Sequence, residues 1–580
     1  MAYQNFIIPR TENTYANLLE AYGLANLIKA IDANIRMEIY TDNSHVKLSL
    51  KKSIDENVID TKPYFQIVRF IQNKSTTKPP ENIGENYYNY TQQRDRRKAM
   101  REEIDIAYKD KELKKDKDKL KTRLKMIDEK YNQVLGLEEE YDVYSKMISN
   151  PYSAFTKLYN NLLNNESHFP LLLKTIFDKY TNPDFIYDLK KNKSLKLTHQ
   201  ISQLQLFNPN KGSGLNKAKA NALGSSNIPN EWISEILKIS GALNSMLCQN
   251  IKVGSSYDMK VYVPEFNEIP FSFKKMILSK FKSRTKNIKG SSSAVKLDII
   301  NILLLNEIFI KNSEKYIGKP RKTVKGLHSV YQKDLGNNKA VTNISFINTP
   351  SFIEINDKTT GKNWLRIIKE QLAIIQPIEE RGDAIRGLLA YRNFLSGGDI
   401  ESYFKFLIWY ATYFMQALSK ENYYITALRL NTLDSIFDSL NNLLTNQFNI
   451  MKFQEITQNG GFQSIATAIR KSTVTLMYTP KASRNFEVKY GLARHLQNKS
   501  KTNEELITFI SDFIASYNTE SARKSETGKG RRTNVREDEL QKFYELVDTV
   551  DNPKMLGAML AAYGFALNAK EEKEPQSEEV

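Results

Sequence analysis

Between Leu189 and Asn230 the chain carries no aspartate or glutamate, while seven lysines and seven asparagines fall in the same stretch. Gly212 and Gly214 punctuate its centre, where a backbone without a Cβ can approach a ligand closely. Lys211, Lys217 and Lys219 are candidate phosphate partners, and Asn208, Asn216 and Asn221 offer paired donors and acceptors to base edges. That chemistry suits a DNA groove better than a small metabolite. The alternative reading is a plain surface loop in a lysine- and asparagine-rich chain.

Further basic clusters repeat the theme. Phe273 to Lys289 contains Lys274, Lys275, Lys280, Lys282, Arg284, Lys286 and Lys289 with Phe273 and Phe281 interleaved and no acid. A shorter cluster holds Lys319, Arg321, Lys322 and Lys325, and a glycine-punctuated one holds Arg523, Lys524, Lys529, Arg531, Arg532 and Arg536. In the segment around Phe462, Ile465, Ile469 and Leu476 the apolar spacing predicts a buried stripe that leaves Gln463, Thr467, Arg470 and Lys471 outward. Each phosphate that such cations neutralise releases counterions, giving strong, salt-sensitive and sequence-independent binding. Aromatic rings among lysines also accept stacked bases of an unpaired strand. A merely solvated surface is the alternative in each case.

Bond-breaking chemistry finds little support. The histidines His45, His168, His199, His328 and His495 are far apart, with none at the spacing of a paired metal ligand. Gly318-Lys319, Gly361-Lys362 and Gly528-Lys529 lack the rest of a phosphate-binding loop, and no G-x-S-x-G elbow occurs. Ser396-Gly-Gly-Asp399 approaches a polymerase-like Gly-Gly-Asp-Asp hairpin, but Ile400 stands where the second carboxylate belongs, and Asp399 reads as a helix N-cap. Asp116 and Asp118 lie in a charged helix and point to different faces.

The elements that must position these residues are mixed. The 580 residues carry 84 Lys and Arg against 66 Asp and Glu, a net charge of +18, which favours a polyanionic partner. The longest strongly apolar run, Phe406 to Met415, is too short for a bilayer span. The N-terminus lacks a secretion signal, so a cytoplasmic location is expected. Cys248 is the only cysteine, excluding an internal disulfide framework and any multi-cysteine zinc site. A helix is predicted over Tyr15 to Ala30, a hairpin over Ile35–Tyr40 and His45–Leu50, and strands at Phe65–Ile71, Met259–Val263 and Ile344–Ile355. From Gln92 to Met147, Leu113, Leu120, Leu124, Ile127, Tyr131 and Val134 recur at heptad-like steps, describing a helical hairpin or short coiled coil with a solvated charged face. After Gly397-Gly398 the pattern turns helical, near 400–419, 426–445, 461–478, 502–522, 535–550 and 553–569. Leu19 to Ala25 echoes Leu560 to Ala566, each with an Ala-Tyr-Gly core that reads as a close helix-packing site.

With these residues in view, the chain resembles the large subunit of a type I CRISPR interference (Cascade) complex of the I-B and I-A branch. The loop leading into Trp232 to Gly241 carries part of the resemblance, and Phe394 to Ile400 another part. The third part runs from Phe462 through Ala468–Ser472, Tyr490–Arg494 and Phe513–Tyr517 to Leu560–Gly564, and is similar to the helical small subunit of those complexes. The resemblance covers about two thirds of the chain, and the 92–147 segment has no counterpart in it.

What the resemblance implies is a division of labour in which a guide RNA reads sequence by pairing while protein reads a short protospacer-adjacent motif and keeps the displaced strand apart. Under it, the motif-reading candidates are Gln203, Asn208, Lys211, Gly212, Gly214, Asn216, Lys217, Lys219 and Asn221. The displaced strand and other nucleic-acid backbone would meet Lys274, Lys275, Lys282, Arg284, Arg470, Lys471, Arg494, Lys529, Arg531 and Arg532. Implied partners are the guide RNA, duplex target DNA, the backbone and handle-binding subunits, a helicase-nuclease, and a small subunit translated internally from Met451; no membrane, metal or cofactor is expected. The expected fold class is α+β: a mixed domain over 1–395 with the 92–147 insertion and the 203–221 loop, a helical bundle over 396–570, small-subunit-like from about 451, and an acidic tail over 571–580. The alternatives are a metal-dependent nuclease whose carboxylates converge only in space, and a standalone nucleic-acid-binding scaffold.

Overall fold

A computed structural model describes residues 2–61, 67–132, 138–147, 152–182, 200–202, 204–210, 229–285, 293–313, 316–336, 339–422, 424–444 and 452–568. The chain is mixed α and β, with sheets in its N-terminal part and a helical C-terminal region. It forms two compact units, one of residues 1–292 with 322–347 and one of residues 293–321 with 348–580. Gly397-Gly398 lies inside the second unit, where Gly398 at φ 70° closes the helix Ala384–Gly397 in the left-handed conformation that glycine adopts at least cost.

In the first unit, the expected hairpin forms from Met37–Thr41 and His45–Asp55. Asp42 holds its turn by accepting the backbone N–H groups of Ser44 and His45, each at 2.7 Å. Ala2–Pro9 pairs antiparallel with the second hairpin strand, and Glu268–Pro270 pairs antiparallel with the first. Val46, Leu48 and Leu50 alternate inward along the hairpin, as a half-buried strand requires. A second sheet runs in the order Lys339–Asn348, Val324–Asp334, Ser256–Phe266, Leu247–Val253. Its last expected strand segment stops at Asn348, before Pro350 removes a ladder donor. Of the strand expected over Phe65–Ile71, positions 65 and 66 lie outside the described residues, and the strand found is Phe70–Gln72, paired in parallel with Tyr87–Asn89.

Two helices, Ala16–Ile31 and Trp232–Ser245, cross with their backbones in contact. A Cβ on Gly23 would sit 1.9 Å from the carbonyl oxygen of Leu237, and one on Gly241 would sit 1.9 Å from that of Leu19. The Ala-Tyr-Gly segment therefore packs helix on helix, as its composition predicts. The charged insertion folds back as a hairpin of Tyr90–Lys109 and Lys117–Asn132, linked through the short helix Lys111–Lys115. Glu103 ties its arms by accepting from Lys130 at 2.5 Å and Tyr131 at 2.7 Å. The segment is not helical hairpin throughout: Glu138–Met147 packs on Trp232–Ser245, burying Val143, Tyr144 and Met147. Val134 lies outside the described residues.

Among the described residues, no strand follows Asn348. Asp399 caps the helix Ile400–Ser419 by accepting the Glu401 N–H at 3.1 Å, as its position in the sequence predicts. The apolar helix Pro553–Phe565 is the centre of the C-terminal region, packed by Ile400–Ser419, Gly460–Ser472 and Leu492–Lys499. Gly564 repeats the close approach seen at Gly23, because its Cβ would lie 2.5 Å from Ile469 Cγ2. The helix expected over 461–478 is two, Gly460–Ser472 and Val474–Met477, broken at Thr473 with φ −130° and ψ −94°. Asn503–Glu526 and Glu537–Val550 complete the region.

Candidate nucleic-acid interface

The second unit contains an open cleft of about 960 Å³ whose lining includes three cations, Lys471, Arg531 and Arg532, and no carboxylate. Lys471 leaves the last turn of Gly460–Ser472; Ser521, Ala522 and Ser525 come from Asn503–Glu526; Arg531 to Asn534 form the connection to Glu537–Val550. Phe486 supplies an aromatic face, and Thr475, Thr533 and Asn534 add neutral polar groups. Residues far apart in sequence thus converge on one positive surface.

The cations differ in what holds them. Arg532 is buried, with its guanidinium 3.7 Å from the Tyr517 ring centroid and 4.4 Å from that of Phe486. It donates to the Tyr517 carbonyl at 3.0 Å and to the Glu520 carboxylate at 2.6 Å. Arg532 lines the cleft as a buried, ion-paired side chain that fixes the loop rather than as a free surface cation, with its Nε and Nη1 making no hydrogen bond among the described residues. Further ties come from Ser521, whose hydroxyl donates to the Arg532 carbonyl at 2.9 Å, and from Asn518, which exchanges two hydrogen bonds with the Val535 backbone at 2.8 and 3.1 Å. On this fixed rim Arg531 is exposed, while half-buried Lys471 reaches Thr533 Oγ1 at 3.2 Å; Lys529 is exposed in the same connection but does not line the cleft. Arg494 is exposed on Leu492–Lys499 and does not line the cleft. Arg470 does not line it either, donating instead to the Tyr563 carbonyl at 2.7 Å. Adjacent helical residues point about 100° apart, which sends Arg470 and Lys471 to different surfaces.

In the first unit, Lys274 and Lys282 are not surface cations. Helix Phe271–Thr285 buries the stripe Phe271, Lys274, Ile277, Leu278, Phe281 and Lys282, so both lysines fall on its inner face. Lys274 Nζ stands 3.2 Å above the Tyr22 ring and 3.0 Å from Ser245 Oγ. Burial, followed by repulsion from Lys282 and Lys275, pushes its ammonium well below the usual lysine range. Lys282 donates to the Leu243 carbonyl at 2.7 Å. Lys275 and Arg284 do face solvent. Within the Lys319–Lys325 cluster, Lys325 is 3.2 Å from Glu265, which also receives Arg10 at 2.8 Å and contacts His328 Nε2 at 2.6 Å.

Asn208 requires the same correction. It is fully buried, donating to both Glu235 carboxylate oxygens at 3.0 Å and accepting from Lys238 Nζ at 2.7 Å. Glu235 also accepts the Leu204 N–H at 3.3 Å, and Tyr15 donates to the Leu206 carbonyl at 2.8 Å. Asn208 is therefore an anchor holding the 204–210 turn to the helix pair, not a reader of bases. Gln203, Lys211, Gly212, Gly214, Asn216, Lys217, Lys219 and Asn221 lie outside the described residues.

Asp116 caps Lys117–Asn132 by accepting the N–H groups of Asp118 and Lys119, each at 3.1 Å. Among the described residues, no group of three or more His, Cys, Asp or Glu is placed to hold a metal ion, and no helix is long and apolar enough to cross a membrane. Sequence reasoning missed Phe486 and the hydroxyl-rich wall of the cleft; no local spacing links them to Lys471 or Arg531. No family model matches the chain, and no curated protein matches its sequence.

Proposed function

We propose that the chain is a nonenzymatic, cytoplasmic large subunit of an RNA-guided DNA-targeting complex, in which the cleft of the second unit holds the displaced single strand. The observation that carries this reading is the convergence of Lys471 and Arg531 with Phe486 on a surface lined by no carboxylate. A phosphate chain gains from cations on a pre-set rim, and an aromatic ring beside them accepts a base without regard to sequence. The glycine-, lysine- and asparagine-rich stretch that follows the Asn208 anchor would approach the motif duplex, with the guide RNA supplying discrimination. Guide, backbone and handle-binding subunits, the helicase-nuclease and a product started at Met451 enter this proposal through the resemblance to Cascade large subunits.

A salt titration of the intact chain on a labelled single strand tests the central claim. Replacing Lys471 and Arg531 together by alanine is expected to weaken binding and to flatten the dependence of log affinity on log salt by about 1.4, roughly 0.7 for each phosphate contact removed. An unchanged slope would sink the cleft reading. Strand cleavage by the pure protein in Mg²⁺, abolished by chelator, would replace it with the nuclease alternative. Co-expression with its neighbouring genes tests the assembly, because a guide RNA and repeated backbone subunits should co-purify.

A further inference from the structure

The second unit also holds a smaller cavity of about 480 Å³ walled by Leu430–Leu444, Phe453–Gln458, Gly460–Ser472 and Tyr563, and Arg470 lines it. One wall is cationic. Arg470 is half-buried, its Nε is buried without a hydrogen-bond partner, and burial pushes its guanidinium below the usual arginine range with no carboxylate offsetting that shift. The helix Leu430–Leu444 contributes two exposed carboxylates to the lining. Asp434 and Asp438 stand one turn apart on Leu430–Leu444, and burial followed by the Asp434 charge raises the Asp438 carboxyl. Asp434 accepts from the Tyr563 hydroxyl at 2.7 Å, whereas Asp438 has no hydrogen bond or ion pair within the described residues.

A cavity lined by the Arg470 guanidinium and by Asp438, an exposed carboxylate with no hydrogen bond or ion pair among the described residues, fits a ligand of mixed polarity. We infer that it receives an unstacked guanine base of the bound single strand. Guanine alone among the four bases presents two adjacent donors, N1–H and the 2-amino group, to a carboxylate, with acceptors O6 and N7 on the neighbouring edge for a guanidinium. The volume lies within the roughly 300–1,000 Å³ of small-molecule sites and is too narrow for a duplex. Phe462 and Tyr563 supply aromatic walls, and Gln463 adds an amide. The inference rests on the single-strand reading above and adds a base preference that the cleft by itself does not provide.

Equilibrium dialysis of the full chain against free nucleosides separates the two claims. Guanosine is expected to bind, inosine, which lacks the 2-amino group, about tenfold more weakly, and adenosine, cytidine and thymidine more weakly still. Asp438 is exposed at the cavity mouth, so Asp438→Asn should keep the fold, measured by far-ultraviolet circular dichroism, while lowering guanosine affinity about tenfold. The same variant should bind an oligothymidine strand as well as the parent does. Equal binding of all nucleosides, guanosine binding untouched by Asp438→Asn, or displacement of guanosine by free glycine or arginine would each overturn the inference. Loss of oligothymidine binding in Lys471→Ala/Arg531→Ala with guanosine binding retained would leave the two sites independent, as proposed. Guanosine binding by a chain with no affinity for oligothymidine would refute the strand reading alone.

Discussion

At the scale of single residues, charge in this molecule divides into cations that are consumed by the fold and cations left on its surface. Arg532 belongs to the first class, and its planar fork between two rings has no lysine equivalent. Arg532→Lys is expected to cost about 1–3 kcal/mol and to speed tryptic cleavage within the 523–536 connection, read by mass spectrometry of the fragments. Glu265 shows the converse. Burial pushes its carboxyl up, but the His328 hydrogen bond and charge, with Arg10, overcome this and hold it at about 2. A carboxyl lowered in this way stabilises the fold above its unfolded value near 4.5 and loses that contribution as pH falls toward 2. Its contribution is about 3 kcal/mol, and Glu265→Gln should therefore lower stability at neutral pH and flatten the acid unfolding curve between these limits. Lys274 and Lys282 show how far residue types alone can be read. Their number suggested a phosphate surface, yet their spacing from Phe271, Leu278 and Phe281 puts them on the buried stripe, a signal present in the sequence and outweighed by charge counting. Asn208 offered no such signal, because its partners Glu235 and Lys238 reach it only through the fold.

At the scale of elements, helix crossings are set by glycines that differ sharply in what surrounds them. Gly460 has nothing within 4 Å of its Cβ position, whereas the next residue, Gly461, would place a Cβ 2.2 Å from the Glu539 carbonyl oxygen. Gly460→Ala should stabilise by about 0.5–1 kcal/mol, and Gly461→Ala should destabilise by about 1–3 kcal/mol or more as two helices are forced apart. Thermal melts of the two single variants should move in opposite directions. Periodicity and capping revealed most elements: the 37–55 hairpin, the Asp399 cap and the Ala-Tyr-Gly packing sites follow from local pattern. The break at Thr473 and the inward turn of Glu138–Met147 do not, since each depends on what packs against the segment from elsewhere. The cleft was legible only in part for the same reason: Lys471 and Arg531 stood out as cations, and Phe486 met them through tertiary structure alone.

At the scale of the whole molecule, a product started at Met451 would lack elements that cover its own central helix. Tyr563 loses its hydrogen bond to Asp434 and its stacked neighbour Phe437, and Leu567 loses backbone bonds of 3.0 and 2.9 Å to Leu430 and Leu428. A fragment of residues 451–580 is therefore expected to bind a hydrophobic dye and self-associate, and a fragment of residues 400–580 to do so less, as light scattering would show. The interleaved order of the two units has a consequence during synthesis. Helix Ala294–Asn312, buried on nearly every side, leaves the ribosome before the strands Val324–Asp334 and Lys339–Asn348 that finish the first unit, and before its own partners Lys358–Ile375 and Ala384–Gly397. Chaperone occupancy on nascent chains should peak in that interval, making translation speed between codons 312 and 397 a determinant of yield.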